Sequence, residues 1–200
     1  IQKEDKRDSK LTKEQEEDLK SVFNVRVKDS SIYNVVLETL DENEAPVIIT
    51  QSEFMRRMKD MSQIGGGGMN FYGELPDSYN LVVNSNHNLI ERISGDLEAQ
   101  EGEKLRENGA RIKELKDQVS FMEKEHGKKK PEEVSQFEKD DLDKLRKELE
   151  TAENARKEIL EDFGAGNKIV KQLIDLALLS NNMLRGEDLS VFVKRSVELL

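Results

Sequence analysis

The sequence predicts an α+β chain. A small three-stranded sheet carries helices on one face, an antiparallel helical hairpin of coiled-coil type is inserted, and apolar helices close the chain. Three observations predict this. Short β-branched runs bounded by turns recur before residue 84. The block 95–166 is about half charged, yet its apolar residues keep a 3–4 spacing. After residue 167 the chain turns apolar again.

With 200 residues there is room for one or two domains. The chain begins at Ile1 and is read as a fragment of a longer protein, with any targeting signal out of view. A net charge of −10 and a pI near 5.0 argue against a nucleic-acid surface, which needs a basic patch. The longest basic run, Lys128-Lys129-Lys130, falls in a turn. No stretch has the apolar length of a membrane span. The absence of cysteine excludes disulfides and suits a reducing compartment. Charged residues make up 37% and aromatics 5%, so part of the chain must be solvent-washed helix rather than core.

Residues 1–10 are polar and expected to fray. Residues 13–24 read as a helix, because Thr12 and Gln15 make a capping box and Leu19, Val22 and Phe23 supply an apolar side. "YNVVLETL", 33–40, is a strand, and Pro46 opens a second, "VIIT". Thr50 or Ser52 caps an amphipathic helix. Its Phe54, Met58 and Met61 fall at i, i+4 and i+7, with Met55 beside them. Met is adaptable, so this stripe suits a surface that accepts many shapes, but it could equally cover the sheet. Gly65 to Gly68 form a flexible tether. "YNLVV", 79–83, is the third strand, and Ser85 or Asn86 caps a short helix through Ile93. Residues 11–94 thus make an α+β layer.

Leu105, Ile112 and Val119 sit seven apart, with Leu115 and Met122 at the alternate heptad sites. Gly127 to Pro131 is a stop followed by a start. Leu142, Leu145, Leu149, Ala152, Ile159 and Phe163 then continue the spacing, with Asn108 and Arg156 at core-type positions. Sustained heptads favour a hairpin over disorder. Asp140/Lys144, Asp143/Lys147 and Glu153/Lys157 lie at i,i+4, each pair worth roughly 0.2–0.5 kcal/mol. In residues 167–200, "IVKQLIDLALL" is apolar almost all round, with Asp175 its only charge after Lys171. Gly186 breaks it. Leu189, Phe192, Val193, Val197 and Leu200 then form a stripe, and a second copy is its simplest cover.

No catalytic constellation is visible. His87 and His126 have no second histidine or cysteine at metal-ligand spacing. "GGGG" lacks the Lys-Ser/Thr of a phosphate loop. No nucleophile has a base beside it.

Three runs in order, "RVKDSSIYNVVLETLDENEAPVIITQSEFMRRM", "YNLVVNSNHNLIERI" and "IVKQLIDLALLSNNMLRGEDLSVFVKRSVELL", resemble the C-terminal domain of the heat-shock protein 90 chaperones, bacterial type. The likeness covers residues 11–93 and 168–200. It implies a constitutive homodimer in which the last two helices of each protomer form a four-helix bundle. Here that would use Ile169, Val170, Leu173, Ile174, Leu176, Ala177, Leu189, Phe192, Val193, Val197 and Leu200. It also implies an exposed helix that touches unfolded or partly folded client protein, here Phe54, Met55, Met58, Met61 and Ile64. ATP and Mg are implied only for an upstream domain of the full-length protein. No cofactor, metal or catalytic residue is expected within these residues. The resemblance implies a cytoplasmic, stress-response protein without nucleic-acid or membrane partners. The acidic tail read by tetratricopeptide co-chaperones is absent from these residues, so those partners are not expected. It implies nothing about 95–166. The competing reading is a coiled-coil adaptor or scaffold with an α+β docking module, which would dimerise through Leu105 to Phe163 instead.

Overall fold

The computed structural model describes residues 9–51, 57, 78–129 and 134–198. The chain divides into two compact units, Ile1–Gly95 with Glu161–Leu200, and Asp96–Leu160. Among the described residues are five helices and a three-stranded mixed sheet.

In the first unit, helix α1 (Lys13–Asn24) starts as its sequence dictates. The Thr12 hydroxyl accepts from the Gln15 amide at 3.2 Å, and the Gln15 side chain accepts from the Thr12 amide at 2.9 Å. Two orphan donors of the first turn are thereby satisfied. Leu19, Val22 and Phe23 are fully buried. Such burial is worth roughly 1.5–3 kcal/mol for each large side chain, which is what holds a short helix in place.

The strands are β1 (Tyr33–Glu38), β2 (Val47–Gln51) and β3 (Tyr79–Asn84), in spatial order β1-β3-β2. β3 lies parallel to β1, with Val36 opposite Val82, and antiparallel to β2, with Ile48 opposite Val82. Leu81, Val82 and Val83 are buried in succession. Successive side chains point to opposite faces, so both faces of β3 are covered, where the sequence reading expected helices on one. The edge strands β1 and β2 are only partly buried.

Beyond β3 the chain makes a buried polar elbow. Asn84 is fully buried. Its side chain donates to the Asp41 carbonyl at 2.7 Å and accepts from the amides of Leu40 at 3.2 Å and Asn86 at 3.1 Å. Asn86 in turn accepts from the Lys10 amide at 3.1 Å. Ser9 and Lys10, expected to fray, are therefore tied to the elbow. His87 starts the next helix, its ring Nδ1 accepting from the Leu89 amide at 3.0 Å. That helix, α2 (Asn88–Gly127), does not stop at Ile93. It runs on through Gly95, whose intrinsic penalty of about 1 kcal/mol is small beside the helix formers that follow.

In the second unit, α2 pairs with α3 (Gln136–Gly166). Leu105, Leu115, Val119, Leu142 and Leu160 are buried, and Ile112, Met122, Leu145, Leu149, Ala152 and Ile159 are half-buried. One flank carries Arg111–Glu148 at 3.0 Å. The other carries Lys116–Glu153 at 2.8 Å and Glu123–Arg146 at 2.7 Å. Along that second flank the partner number falls on α3 as it rises on α2, so the helices run antiparallel. Arg156, at a core-type position, escapes the seam by donating to the Leu105 carbonyl at 2.7 Å. α3 begins with a capping box not read from the sequence. Ser135 Oγ accepts from the Glu138 amide at 3.3 Å, and Glu138 accepts from the Ser135 amide at 2.9 Å.

Candidate functional site

The last two helices are α4 (Lys168–Ser180) and α5 (Glu187–Glu198). Asn167 caps α4, its side-chain oxygen accepting from the amides of Ile169 at 3.0 Å and Val170 at 3.1 Å. Val170, Leu173, Ile174 and Ala177 follow the i, i+3, i+4, i+7 spacing and are all buried within the single chain. α4 does not run on to Gly186. Asn182 adopts a left-handed conformation (φ 55°), with Met183 N–H donating to Leu178 O at 2.8 Å and Asn182 N–H to Leu179 O at 3.0 Å. Those two bonds close a Schellman motif with Asn in place of glycine.

The residues expected to bind a second copy therefore divide. Val170, Leu173, Ile174, Ala177 and Phe192 are spent on the fold of one chain. Ile169 and Leu189 are half-buried. Leu176 is 45% exposed, Val193 53% and Val197 68%, and Val191, which the sequence reading passed over, is 52% exposed. Leu200 lies outside the described residues, as do Phe54, Met55, Met58, Met61 and Ile64.

A charged knot holds α4 to α5. Asp175 is 2% exposed. Its two oxygens meet Lys171 Nζ and Arg195 Nη2, each at 2.5 Å. Arg195 Nε also donates to Gln172 Oε1 at 2.8 Å, and Gln172 donates to Ser196 Oγ at 2.6 Å. The sequence held the signal for this. A lone acid in an apolar helix, four residues after a lysine, needs a partner once buried.

The end of α3 is seated on α1. A Cβ on Gly164 would lie 2.3 Å from the Val22 carbonyl oxygen, so only glycine allows this approach. Arg26 closes the end of α3, donating from Nε to Gly164 O at 2.7 Å and from Nη2 to Ala165 O. A cation at a helix C-terminus is well placed for the orphan carbonyls and the dipole.

Among the described residues, no group of three or more His, Cys, Asp or Glu could hold a metal ion. No helix there is long and apolar enough to cross a membrane.

No protein-family model matches the chain, and neither does any solved structure. Curated proteins do. The chaperone protein HtpG of Bacteroides thetaiotaomicron is 41% identical over 202 residues, covering 100% of this chain and 30% of that protein. HtpG of Bacteroides fragilis is 40% identical over the same length. HtpG of Porphyromonas gingivalis is 41% identical over 204 residues, covering 100% of this chain and 29% of that protein.

The chain belongs to the HtpG family of chaperones.

It matches the C-terminal region of these HtpG proteins and spans about 30% of their length. The matches cover the whole chain, so the HtpG relatives have a counterpart of 95–166, which the resemblance had left unexplained.

Proposed function

We propose that the chain is the dimerisation and client-contacting region of an ATP-dependent chaperone that assists the folding of unfolded proteins. The observation that carries this is the whole-length match, at about 40% identity, to proteins named chaperone protein HtpG. The exposed apolar residues of α4 and α5 support pairing of two copies through a four-helix bundle. Leu176, Val193 and Val197 would form the shared face, together with Leu200. Phe54, Met55, Met58, Met61 and Ile64 would touch client. ATP and Mg would act in a part of the whole protein outside these residues, and the protein would work in the cytoplasm.

Sedimentation tests the pairing. Leu173 is buried within one chain, so an acid there would unfold the protomer rather than split a pair. Leu176→Asp with Val193→Asp changes exposed positions instead. The variant should stay helical and sediment as a monomer at micromolar concentration, where the parent chain should sediment as a dimer. A dimeric variant, or one split only by replacing 95–166 with a short linker, would favour the scaffold reading. For the client face, Met58→Ser with Met61→Ser should weaken capture of an unfolded model protein while leaving the melting temperature in place.

A further inference from the structure

A cavity of about 130 Å³ opens within the first unit, where the turn after α1 meets β1, β3, α4 and α5. Its floor is apolar, formed by Leu81, Ile174, Leu178 and Leu184. A wholly apolar cavity of about 150 Å³ accepts a benzene ring, so the apolar floor has room for a body of about that size. The charged part of the lining is Arg26, Lys28 and Lys171 against Asp175 and Asp188.

The charges are out of balance. Lys28 is paired with Asp188. Asp175 serves two cations, Lys171 and Arg195. Arg26 has only the carbonyls of Gly164 and Ala165, and no carboxylate partner among the described residues. Its Nη1 is left without a protein acceptor there. Desolvation holds the Arg26 guanidinium below its ordinary value, with Arg195 adding repulsion that the attraction of Asp175 only partly offsets. Burial likewise raises the Tyr33 phenol, whose hydroxyl donates to Met183 Sδ at 3.6 Å on the same wall. A half-buried excess of cations over an apolar floor is complementary to a small anion that carries a hydrophobic body.

We propose that this cavity is a binding site for a small apolar carboxylate, a benzoate-sized aryl or branched-chain acid. The carboxylate would accept from Arg26 Nη1 and approach Lys28, and the apolar body would rest on Leu81, Ile174 and Leu178.

Sodium benzoate and its neutral counterpart, benzyl alcohol, are the probes. The readout is the ¹³C-methyl resonances of the methionines in the full chain. Met183 lines the cavity, and Met122 in the second unit is the internal control. Benzoate should move Met183 and spare Met122, saturating with a Kd on the order of 1 mM, as suits so few heavy atoms. Benzyl alcohol should bind about tenfold more weakly, the equivalent of one lost charge contact. Leu178→Phe should fill the cavity and abolish the response. Lys28→Gln, at an exposed position that leaves the fold in place, should weaken benzoate severalfold and leave benzyl alcohol unchanged. The proposal is overturned by equal binding of the two probes, by Met183 and Met122 moving together, by a response that survives in Leu178→Phe, by benzoate affinity unaltered in Lys28→Gln, or by no movement of Met183 at tens of millimolar benzoate.

Discussion

Arg195 on α5 reaches Asp175 on α4 with Nη2 2.5 Å from Oδ2, and Asp175 is 2% exposed. With Lys171 on the other oxygen, a single carboxylate neutralises cations from both terminal helices. Removing one member of a buried pair leaves the other charged and unsolvated, a loss of about 3–5 kcal/mol. Asp175→Ala should therefore lower the urea midpoint by that equivalent with an unchanged slope. Lys28→Ala, breaking the exposed pair with Asp188, should leave the midpoint nearly where it is. Equal effects of the two would refute the view that the buried knot holds α4 to α5.

Gly164→Ala sets two terms against each other. Alanine is the better helix former by about 1 kcal/mol. Its methyl would meet the Val22 carbonyl oxygen at 2.3 Å and Val25 Cγ1 at 2.8 Å. A clash with backbone cannot relax by a rotamer change, and overpacking costs about 1–3 kcal/mol. Steric conflict should win, and the melting temperature should fall. A rise would mean that α3 and α1 are not seated this closely.

Asn84→Ala would strip partners from the Leu40 and Asn86 amides and from the Asp41 carbonyl. Each buried polar group left unmade costs about 1–3 kcal/mol. Thermal unfolding should show a loss of several kcal/mol, and amide exchange at Leu40 should quicken before that at Leu81. Asn84→Asp keeps the acceptor alone and should fall between the two.

Glu138 gives the start of α3 an acid dependence. Its carboxyl is held down to about 2, first by Lys129 and then by the backbone and hydroxyl of Ser135. A carboxylate with a depressed folded value favours the folded form above its unfolded value near 4.5 and loses that favour as pH falls through about 2. The Ser135 amide should therefore exchange faster as pH drops from 4.5 to 2, after correction for intrinsic rates. In Glu138→Gln the corrected rate should be flat over that window. A parent chain equally flat would break the assignment.

Much of this architecture could be read from local chemistry. Thr12 and Gln15 announced α1, and β-branched runs announced all three strands, because both signals act within a few residues. Leu105, Leu115 and Val119 announced one half of the hairpin seam by spacing alone. What escaped depends on tertiary partners. Ser85 and Asn86 look like cap residues, and only the turn at Leu40 and Asp41 makes Asn84 and Asn86 a buried elbow. Asn182 was passed over for Gly186 because a left-handed helix end favours glycine without requiring it. The terminal apolar stripe looked uniform. Only packing decided that Leu173 and Phe192 face their own chain while Val193 and Val197 face outward. The Ser135 and Glu138 capping box is a local signal as well, but Pro131 four residues earlier offers a competing helix start.

The order of the sheet bears on how the chain is made. β1 and β2 are neighbours in sequence but not in space, since β3 lies between them. Neither edge strand has its hydrogen-bonding partner until β3 leaves the ribosome. At about 5–20 residues per second, the stretch from β2 to the end of β3 takes a few seconds to synthesise. Through that interval Val35 and Val47 have no sheet to join. α4, which packs on β2, arrives later still, after the whole hairpin has been translated. The nascent first unit thus carries unpaired strand edges for longer than the helical hairpin, whose contacts are between neighbours in the chain and close quickly. In this molecule the sheet, not the coiled coil, is the part that needs protection while it is being born.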